Sequence, residues 1–353
     1  MDSFIHTALP GRVVFGRGTL AGLADELRLA GRRKLLVLST PEQRGAAERI
    51  GGQLGSLAAG IFAGARMHTP VEVSEEAAAL ARNLGADGVV SVGGGSTIGL
   101  GKAIALRTDL FQAVVPTTYA GSEMTPLIGE TADGVKKTQR NVRVLPELVV
   151  YDVDLTLSLP ARMSITSGLN AIAHAAEALY APDRSPIIGL MAEEGIRSLA
   201  ASLPRIAADP ADAGARGDAL HGAWLCGACL GAVDMALHHK LCHVLGGMFD
   251  LPHAETHAIL LPHAVAYNAP AAPAAMARIA RALGVPDAAA GLFDLAGRLG
   301  APRALRQIGF PDRAVDEVVR AVVDAPYRNP RPMEAGALRA LLLRAAQGAP
   351  PES

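Results

Sequence analysis

Two patterns of apolar and polar positions follow each other along the chain. Over about the first 150 residues, short apolar segments alternate with stretches in which apolar residues recur every three or four positions. Short apolar strands separated by amphipathic helices are typical of a parallel sheet covered by helices on both faces. From about residue 156 nearly the whole chain has the helical periodicity. We therefore predict an α/β domain over residues 1–155 and an all-α domain over residues 156–353.

The predicted elements of the first domain alternate regularly. The strands are RVVFG, KLLVLST, IFAGARMH and ADGVVSVGGGS, and the helices are TLAGLADELRLAG, TPEQRGAAERIGGQLG and VSEEAAALARNLG. In the second domain, helices should end near prolines, because proline lacks the backbone N–H donor. The expected breaks are at Pro182, Pro204, Pro210, Pro252, Pro270 and Pro286.

Composition narrows the protein class. Half of the 353 residues are apolar and 19% are charged, which is ample material for a buried core. A net charge of −1 gives no reason to expect nucleic acid or an anionic membrane as partner. The N-terminus lacks the pattern of a signal peptide, and no stretch approaches the ~20 apolar residues of a membrane span. We expect a cytoplasmic protein.

The three cysteines do not form a disulfide framework, because their number is odd. Cys226 and Cys229 have the C-x-x-C spacing, but they lie in the apolar segment AWLCGACLGAV. Packing within a helix is favoured there over a redox or metal-binding role.

A glycine turn follows the fourth predicted strand, in VVSVGGGSTIGLGKA. Gly93, Gly94 and Gly95 let the backbone approach a ligand closely, and the free N–H groups of the next helix favour an anion such as a pyrophosphate. The motif is not the G-x-G-x-x-G fingerprint, so a plain strand-to-helix turn is the alternative.

Thr117, Thr118 and Ser122 follow the next apolar strand. They lie at the end of the strand where open α/β sheets bind ligands. A simple Ser/Thr turn is the alternative for that segment, but together the two segments predict a nucleotide crevice.

Most histidines of the chain occur in two segments. Asn170 and His174 are four residues apart in SGLNAIAHAAEALYAP, so they share one face of a helix. His239 and His243 repeat that spacing, and His253 follows in an expected loop after GGMFD. A lone histidine on an apolar helix is usually a core residue. Two such pairs with a further histidine favour a shared functional site.

These motifs resemble those of the iron-containing alcohol dehydrogenase family, in the same order. The matching segments are GGGSTIGLGKA, PTTYAGSEMT, NAIAHAAEALYA, HHKLCHVLGGMFDLPHAETHAILLPH and NPRP. The resemblance implies a dinucleotide-binding α/β domain followed by a helical domain like that of dehydroquinate synthase. It also implies NADH or NADPH as cofactor and a homodimer.

The resemblance places the family's metal ligands on four positions. In metal-dependent members these are an aspartate, a histidine four residues later and two further histidines, which fall on Asn170, His174, His239 and His253. His243 matches another histidine that lines the site. Asparagine at position 170 replaces the only anionic ligand, so we expect no bound metal. Three histidines alone can still hold zinc.

Chemistry without a metal suits an electron-poor alkene. Hydride can add β to a conjugated ketone, and histidines can stabilise the enolate and protonate the neighbouring carbon. Asn170 could then donate a hydrogen bond, which an ionised aspartate cannot. The chain resembles a branch of the family with NAIAHAAE and YRNPRP, which reduces maleylacetate to 3-oxoadipate in the degradation of aromatic compounds.

Three further segments hold candidate contacts to this substrate and to the cofactor. Lys137 is the expected partner of a substrate carboxylate, with Lys136 and a solvated basic turn as alternatives. Tyr327 is a candidate substrate contact, although ordinary packing also explains it. Ser39 and Thr40 are expected near the adenosine ribose, where no acidic residue would repel the 2′-phosphate of NADPH.

Other assignments stay open. Either His243 or His253 could be the proton donor. His257 and His263 are expected to be buried helix residues outside the site. A metal-dependent alcohol dehydrogenase is the alternative function, and a nucleotide-binding regulator without turnover is a third possibility, which the histidine set disfavours.

Overall fold

The computed structural model describes residues 4–9, 11–132 and 135–352. The chain divides into two units. One comprises residues 8–159, and the other comprises the described residues up to Thr7 together with those from Pro160 onward. The boundary lies four residues after the expected one at 155/156.

The first unit contains all the strands found in the described residues. They are β1 (Arg12–Gly16), β2 (Leu35–Leu38), β3 (Ala58–Phe62), β4 (Gly88–Gly93), β5 (Phe111–Pro116), β6 (Leu127–Ala132), β7 (Val135–Arg140) and β8 (Leu148–Asp152). Six of them form a parallel sheet in the order β1-β8-β5-β4-β2-β3, while β6 and β7 form an antiparallel hairpin. The predicted parallel α/β architecture is confirmed.

Thirteen α-helices complete the described residues. In the first unit they are α1 (Leu23–Leu29), α2 (Arg44–Leu54), α3 (Val71–Leu84) and α4 (Gly95–Thr108). In the second they are α5 (Ala161–Tyr180), α6 (Pro186–Ala208), α7 (Ala213–Ala232), α8 (Leu237–Phe249), α9 (His253–Asn268), α10 (Pro273–Leu283), α11 (Ala288–Arg298), α12 (Val315–Val323) and α13 (Ala335–Gln347). The predicted helical C-terminal domain is confirmed.

Both faces of the parallel sheet are buried, as its continuous apolar strands predict. Along β2, Leu35 and Val37 belong to one core cluster, which includes residues of α1 and α2. Leu36 and Leu38 point the other way and belong to a cluster with residues of α3 and α4. This alternation follows from the two-residue side-chain period of a strand.

Two local predictions were wrong. The strand expected over residues 61–68 is β3, which spans Ala58–Phe62, and the end of the expected segment is a turn at His68 and Thr69 with φ of 64° and 48°. Pro204 lies within α6 and does not end it. Proline costs the helix one backbone hydrogen bond, and this loss occurs only four residues before the helix ends at Ala208. Burial of the neighbouring Leu203 and Ile206 keeps the last turn packed against the core.

The basic segment after residue 134 does not form the solvated turn that was the alternative to a substrate role. It forms β7, paired with β6 so that Glu130 lies opposite Lys137. Opposite charges at paired positions favour this register.

Small residues allow close helix packing in the second unit. A Cβ added at Gly195 of α6 would lie 2.7 Å from the Sγ of Cys226 in α7. One added at Gly168 of α5 would lie 2.7 Å from Leu203. Cys226 and Cys229 are buried free thiols at such contacts, so their predicted packing role is confirmed.

Helix α7 is not an independent membrane span. Among the described residues no single helix has the length and hydropathy to cross a bilayer, and only α7 with α8 pass that test jointly, across a 92° bend.

His263 is buried in α9 against Phe293 of α11, as the sequence predicts. Burial, with a smaller contribution from Arg344, lowers the pKa of His263 from 6.5 to about 4. The folded state therefore keeps this imidazole neutral at a pH where the unfolded chain binds a proton. Its stabilising effect is complete above pH 6.5 and is lost as the pH falls towards 4.

We expect His263→Leu to flatten the acid limb of the stability curve. Between pH 6 and 5, the free energy of unfolding of the wild type should fall faster than that of the variant by about 1.4 kcal/mol per pH unit. Denaturant unfolding at several pH values measures both slopes. Parallel curves would contradict the assignment.

Candidate active site

Helix α5 presents three polar side chains from an otherwise apolar face. Asn170, His174 and Glu177 are spaced i, i+4 and i+7, and all three are buried. Residues at this spacing lie one above another on a helix. The predicted pairing of Asn170 with His174 on one face is therefore present, and a carboxylate continues the row.

Helices α8 and α9 bring further imidazoles to this row. The histidine cluster consists of His174, His238, His239, His243, His253 and His257. The ring centroids of His174 and His239 are 5.2 Å apart, and those of His239 and His243 are 6.1 Å apart. The ring of His257 lies 5.0 Å from that of His239 and 4.3 Å from that of His253. The structure thus brings together the four histidines predicted for the site.

One prediction about α9 was wrong. His253 is the first residue of the helix, after Pro252, and not a loop residue. His257 is a buried helix residue, as predicted, and one helical turn from His253 it also faces the cluster.

Glu177 fixes the start of α8. Its carboxylate accepts hydrogen bonds from the backbone N–H groups of Ala236 (2.8 Å) and His238 (2.7 Å) and from Nδ1 of His239 (2.7 Å). Ala236 has no side chain that could cap the helix, so a carboxylate from α5 fills this role at the positive end of the helix dipole. Because a carboxylate only accepts, Nδ1 of His239 carries the proton, and Nε2 is the ring nitrogen without a hydrogen-bond partner among the described residues.

The NPRP segment supports the same helix end. Asn329 Oδ1 accepts from the N–H of Leu237 at 3.3 Å. Asn329 also exchanges two amide hydrogen bonds with the buried Asn268 of α9, at 3.0 and 2.7 Å. The motif therefore holds α8 and α9 in place.

Several buried polar atoms of the cluster face no protein partner among the described residues. They are Asn170 Oδ1, His174 Nδ1, His238 Nδ1, His239 Nε2 and His257 Nε2. Buried atoms of this kind usually face water, an ion or a ligand. Burial and the neighbouring histidines hold the pKa of His174, His238 and His257 well below the usual value, so these rings are neutral at pH 7.

The donors have the character of a weak cation site. Three neutral imidazoles suffice for zinc, and a carboxylate behind His239 is the support that metal-bound histidines commonly have. The amide of Asn170 adds an oxygen donor without charge. The residues therefore fit a cation in kind, and what they lack is an anionic ligand.

A hydrogen-bonded pair lies behind His239. Nε2 of His238 and Nδ1 of His257 are 2.9 Å apart, and Sγ of Cys242 lies 3.7 Å from the same nitrogen of His238. All three side chains are buried. Both rings of the pair lie edge to face with His239, at centroid distances of 5.2 and 5.0 Å.

The outer side of the cluster is more open. His243 is exposed, and its Nδ1 lies 3.1 Å from the hydroxyl of Tyr327. Burial raises the pKa of Tyr327, so the phenol stays protonated and shares a hydrogen bond with Nδ1 of His243. Tyr327 also lies beneath Lys240, whose Nζ is 5.4 Å from the ring centroid.

In the first unit, the carboxyl ends of β4 and β5 bring the predicted nucleotide residues together. Gly93 pairs with Pro116, and the N–H of Thr117 donates to the carbonyl of Gly93 at 3.1 Å. Gly93 has φ of 147°, and an added Cβ would lie 2.5 Å from Gln43 Oε1. A Cβ at Gly94 would lie 2.9 Å from Thr118 Oγ1.

The first turn of α4 is accessible. Gly95 is exposed with no atom within 4 Å of a notional Cβ, and Ser96 is partly exposed beside it. The free N–H groups of this turn fit a pyrophosphate. Gln43, which donates to Thr117 Oγ1 at 3.0 Å, was not identified from the sequence, because it lies in an irregular turn before α2.

Ser39 differs from its prediction. It is fully buried at the end of β2, with its Oγ enclosed, so its hydroxyl does not reach the surface. Thr40, the next residue, is partly exposed and remains a candidate for the ribose.

The loop that carries Ser122 is held by a buried lysine. Lys102 of α4 donates to the carbonyls of Ser122 (2.6 Å), Thr125 (2.8 Å) and Leu127 (2.8 Å) and to the Thr125 hydroxyl (2.9 Å). Burial lowers the pKa of Lys102 to about 7, and Glu123 opposes that effect. This lysine is committed to structure, so it is no ligand group.

Lys137 is exposed on β7, and the side chain of Lys136 lies outside the described residues. A substrate role for Lys137 therefore stays a prediction.

Known proteins match the whole chain. The family model for iron-containing alcohol dehydrogenase matches residues 10–153, and the model for the C-terminal part of the Fe-containing alcohol dehydrogenase family matches residues 164–346. The chain is 58% identical to a maleylacetate reductase of Burkholderia cepacia, with 99% of this chain and 100% of that protein aligned.

Two solved structures match equally completely. The crystal structure of maleylacetate reductase from a Rhizobium species has 56% identity and a TM-score of 0.97, covering 99% of this chain and 100% of the other. That from Agrobacterium tumefaciens has the same identity, coverage and TM-score.

We expect Glu177→Gln to damage the site more than a surface charge change does. Glutamine cannot accept from two backbone N–H groups and an imidazole as a carboxylate does, so the free energy of unfolding should fall by about 2–4 kcal/mol. Glu194→Gln removes an exposed carboxylate paired with Arg197 and should cost less than about 1 kcal/mol. Denaturant unfolding compares them. Equal effects would show that Glu177 does not anchor α8.

Proposed function

The chain belongs to the iron-containing alcohol dehydrogenase family, and we propose that it reduces the C=C bond of maleylacetate to give 3-oxoadipate without requiring a metal. It is an oxidoreductase of the maleylacetate reductase branch and uses a nicotinamide cofactor. We also propose that the enzyme accepts either NADH or NADPH, that it is cytoplasmic and that it forms a homodimer.

One observation supports a metal-independent reaction. The buried donor set around Asn170 contains no carboxylate that would bind a cation directly, because Glu177 is already bonded to two N–H groups and to His239. A divalent cation held by His174, His239, His253 and the Asn170 amide would polarise the ketone. An enone is electrophilic without that help.

The reduced nicotinamide supplies a hydride to the carbon β to the ketone. The alkene electrons then move to the carbonyl oxygen and form an enolate, which needs hydrogen-bond donors. The Asn170 amide can donate there, as can a protonated imidazole nitrogen. The proton that completes the product is added to the carbon α to the ketone, and the C=O bond re-forms.

We assign the proton transfer to His243. Its ring is exposed to incoming substrate, and Nδ1 is hydrogen-bonded to the Tyr327 hydroxyl at 3.1 Å. In the tautomer that this role requires, the hydroxyl donates to Nδ1 and the transferable proton is on Nε2. His253 is also exposed, but it stacks on His257 at 4.3 Å. Tyr327 is then a positioning residue.

The metal question has a direct test. Wild-type protein treated with a chelator should keep its rate of NADH oxidation with maleylacetate, and elemental analysis should find little metal.

Asn170→Asp restores an anionic ligand and should tighten Zn²⁺ binding by on the order of 100-fold, as measured by calorimetry. Asn83→Asp, on the exposed face of α3, is the matched control. Activity that disappears with the chelator and returns with Fe²⁺ or Zn²⁺ would support the alternative, a metal-dependent alcohol dehydrogenase.

The proton donor is tested by paired variants. His243→Asn should lower kcat by about 100-fold or more, because it removes a general acid. His253→Asn should lower kcat less, and Tyr327→Phe should shift the pH profile of kcat while retaining activity. Steady-state rates over a range of pH measure all three. A larger loss in His253→Asn than in His243→Asn would reverse the assignment.

A further inference from the structure

Lys240 is a nearly buried cation beside the histidine cluster. It follows His239 on α8 and precedes His243 by three residues, so it lies one helical turn from the assigned proton donor. Only 9% of the residue is exposed. Lysine is almost never this buried unless its charge is paired.

Within the described part of the chain, Lys240 forms no ion pair, and its Nζ makes no hydrogen bond. Its recorded contact is the face of the Tyr327 ring, with Nζ 5.4 Å from the centroid. A cation over a ring gains less than a charged hydrogen bond to an oxygen partner provides when water is excluded. The ammonium therefore keeps three unused donors.

The other buried cations show what a structural role requires. Lys102 donates to four oxygen atoms. Arg216 of α7 donates to the carbonyl of Pro210 and to the hydroxyl of Ser164. Both have protein oxygen partners that account for their burial. Lys240 has none among the described residues, and its Nζ is not among the enclosed side-chain atoms, so the ammonium is open to a partner from outside the chain.

We propose that Lys240 binds a carboxylate of the substrate. This inference rests on the proposed function, because it takes the substrate to be a dicarboxylate that carries an enone. The position fits, since the ammonium, the Tyr327 ring and His243 lie side by side on one face of α8. A carboxylate at Nζ places the reacting carbons within reach of the neighbouring imidazoles. Lys240 is then the residue that selects acids over neutral enones.

The arrangement also explains why a tyrosine occurs at position 327. Its ring shields one side of the ammonium, and its hydroxyl orients His243 at 3.1 Å. Shielding from water strengthens the attraction between the ammonium and a carboxylate. One side chain therefore links substrate binding to proton transfer.

The test compares Lys240→Met, which keeps the aliphatic stem, with Lys240→Arg, which keeps the charge. Lys240→Met should raise the KM for maleylacetate by about 100-fold, the usual effect of removing one partner of a shielded charge pair. The KM for NADH should not change, and Lys240→Arg should recover much of the loss. Lys34→Met, at an exposed lysine of the other unit, is the matched control.

Inhibition separates charge recognition from simple packing. 3-Oxoadipate should lose about 100-fold in affinity in Lys240→Met, while its neutral dimethyl ester should bind both proteins equally. Thermal unfolding checks that the variants fold. Equal losses for the acid and the ester, or a change confined to the KM for NADH, would overturn the proposal.

Failure of this inference can be distinguished from failure of the proposed function. Wild-type protein that does not turn over maleylacetate would contradict the function. Calorimetry with 3-oxoadipate would still test Lys240 in that case, because binding requires no turnover. A wild type that is active, with a Lys240→Met variant of unchanged KM, would contradict the carboxylate site alone.

Discussion

The bond between Glu177 and the start of α8 is the interaction on which the site depends. One carboxylate from α5 accepts two backbone N–H groups and the Nδ1 proton of His239. It therefore determines where α8 begins and which nitrogen of His239 is left unpaired. The pair of Asn268 and Asn329 adds a second support at the same helix end. The histidines are held by a frame of buried hydrogen bonds.

That frame also determines the electrostatics of the site. The negative charge of Glu177 is used within the protein, so the unpaired atoms of the cluster belong to an amide and to imidazoles. We expect such a surface to bind a cation weakly and to donate hydrogen bonds to a developing enolate. Lys240 adds a positive charge at the outer side, where a dicarboxylate needs one. Asparagine at position 170 is consistent with this distribution, because an aspartate would face the enolate with a second negative charge.

The sequence predicts the architecture well because its signals are local. Continuous apolar strands identify the parallel sheet, and the i, i+4 spacings place Asn170, His174, His239 and His243 on their helices. Glu177, His238 and His257 were missed, because their roles depend on how α5, α8 and α9 pack together. Glu177 could have been suspected from its place one turn after His174. The burial of Ser39 and the hairpin at Lys137 likewise depend on tertiary structure, which periodicity does not report.

The most direct test of the account follows the hydride. NADH that carries deuterium at the transferred position is incubated with maleylacetate and chelator-treated protein, and the product is analysed by NMR. The account predicts 3-oxoadipate with deuterium on the carbon β to the ketone and a solvent-derived proton on the α carbon. Deuterium on a carbinol carbon, with the alkene intact and activity only when metal is restored, would contradict it.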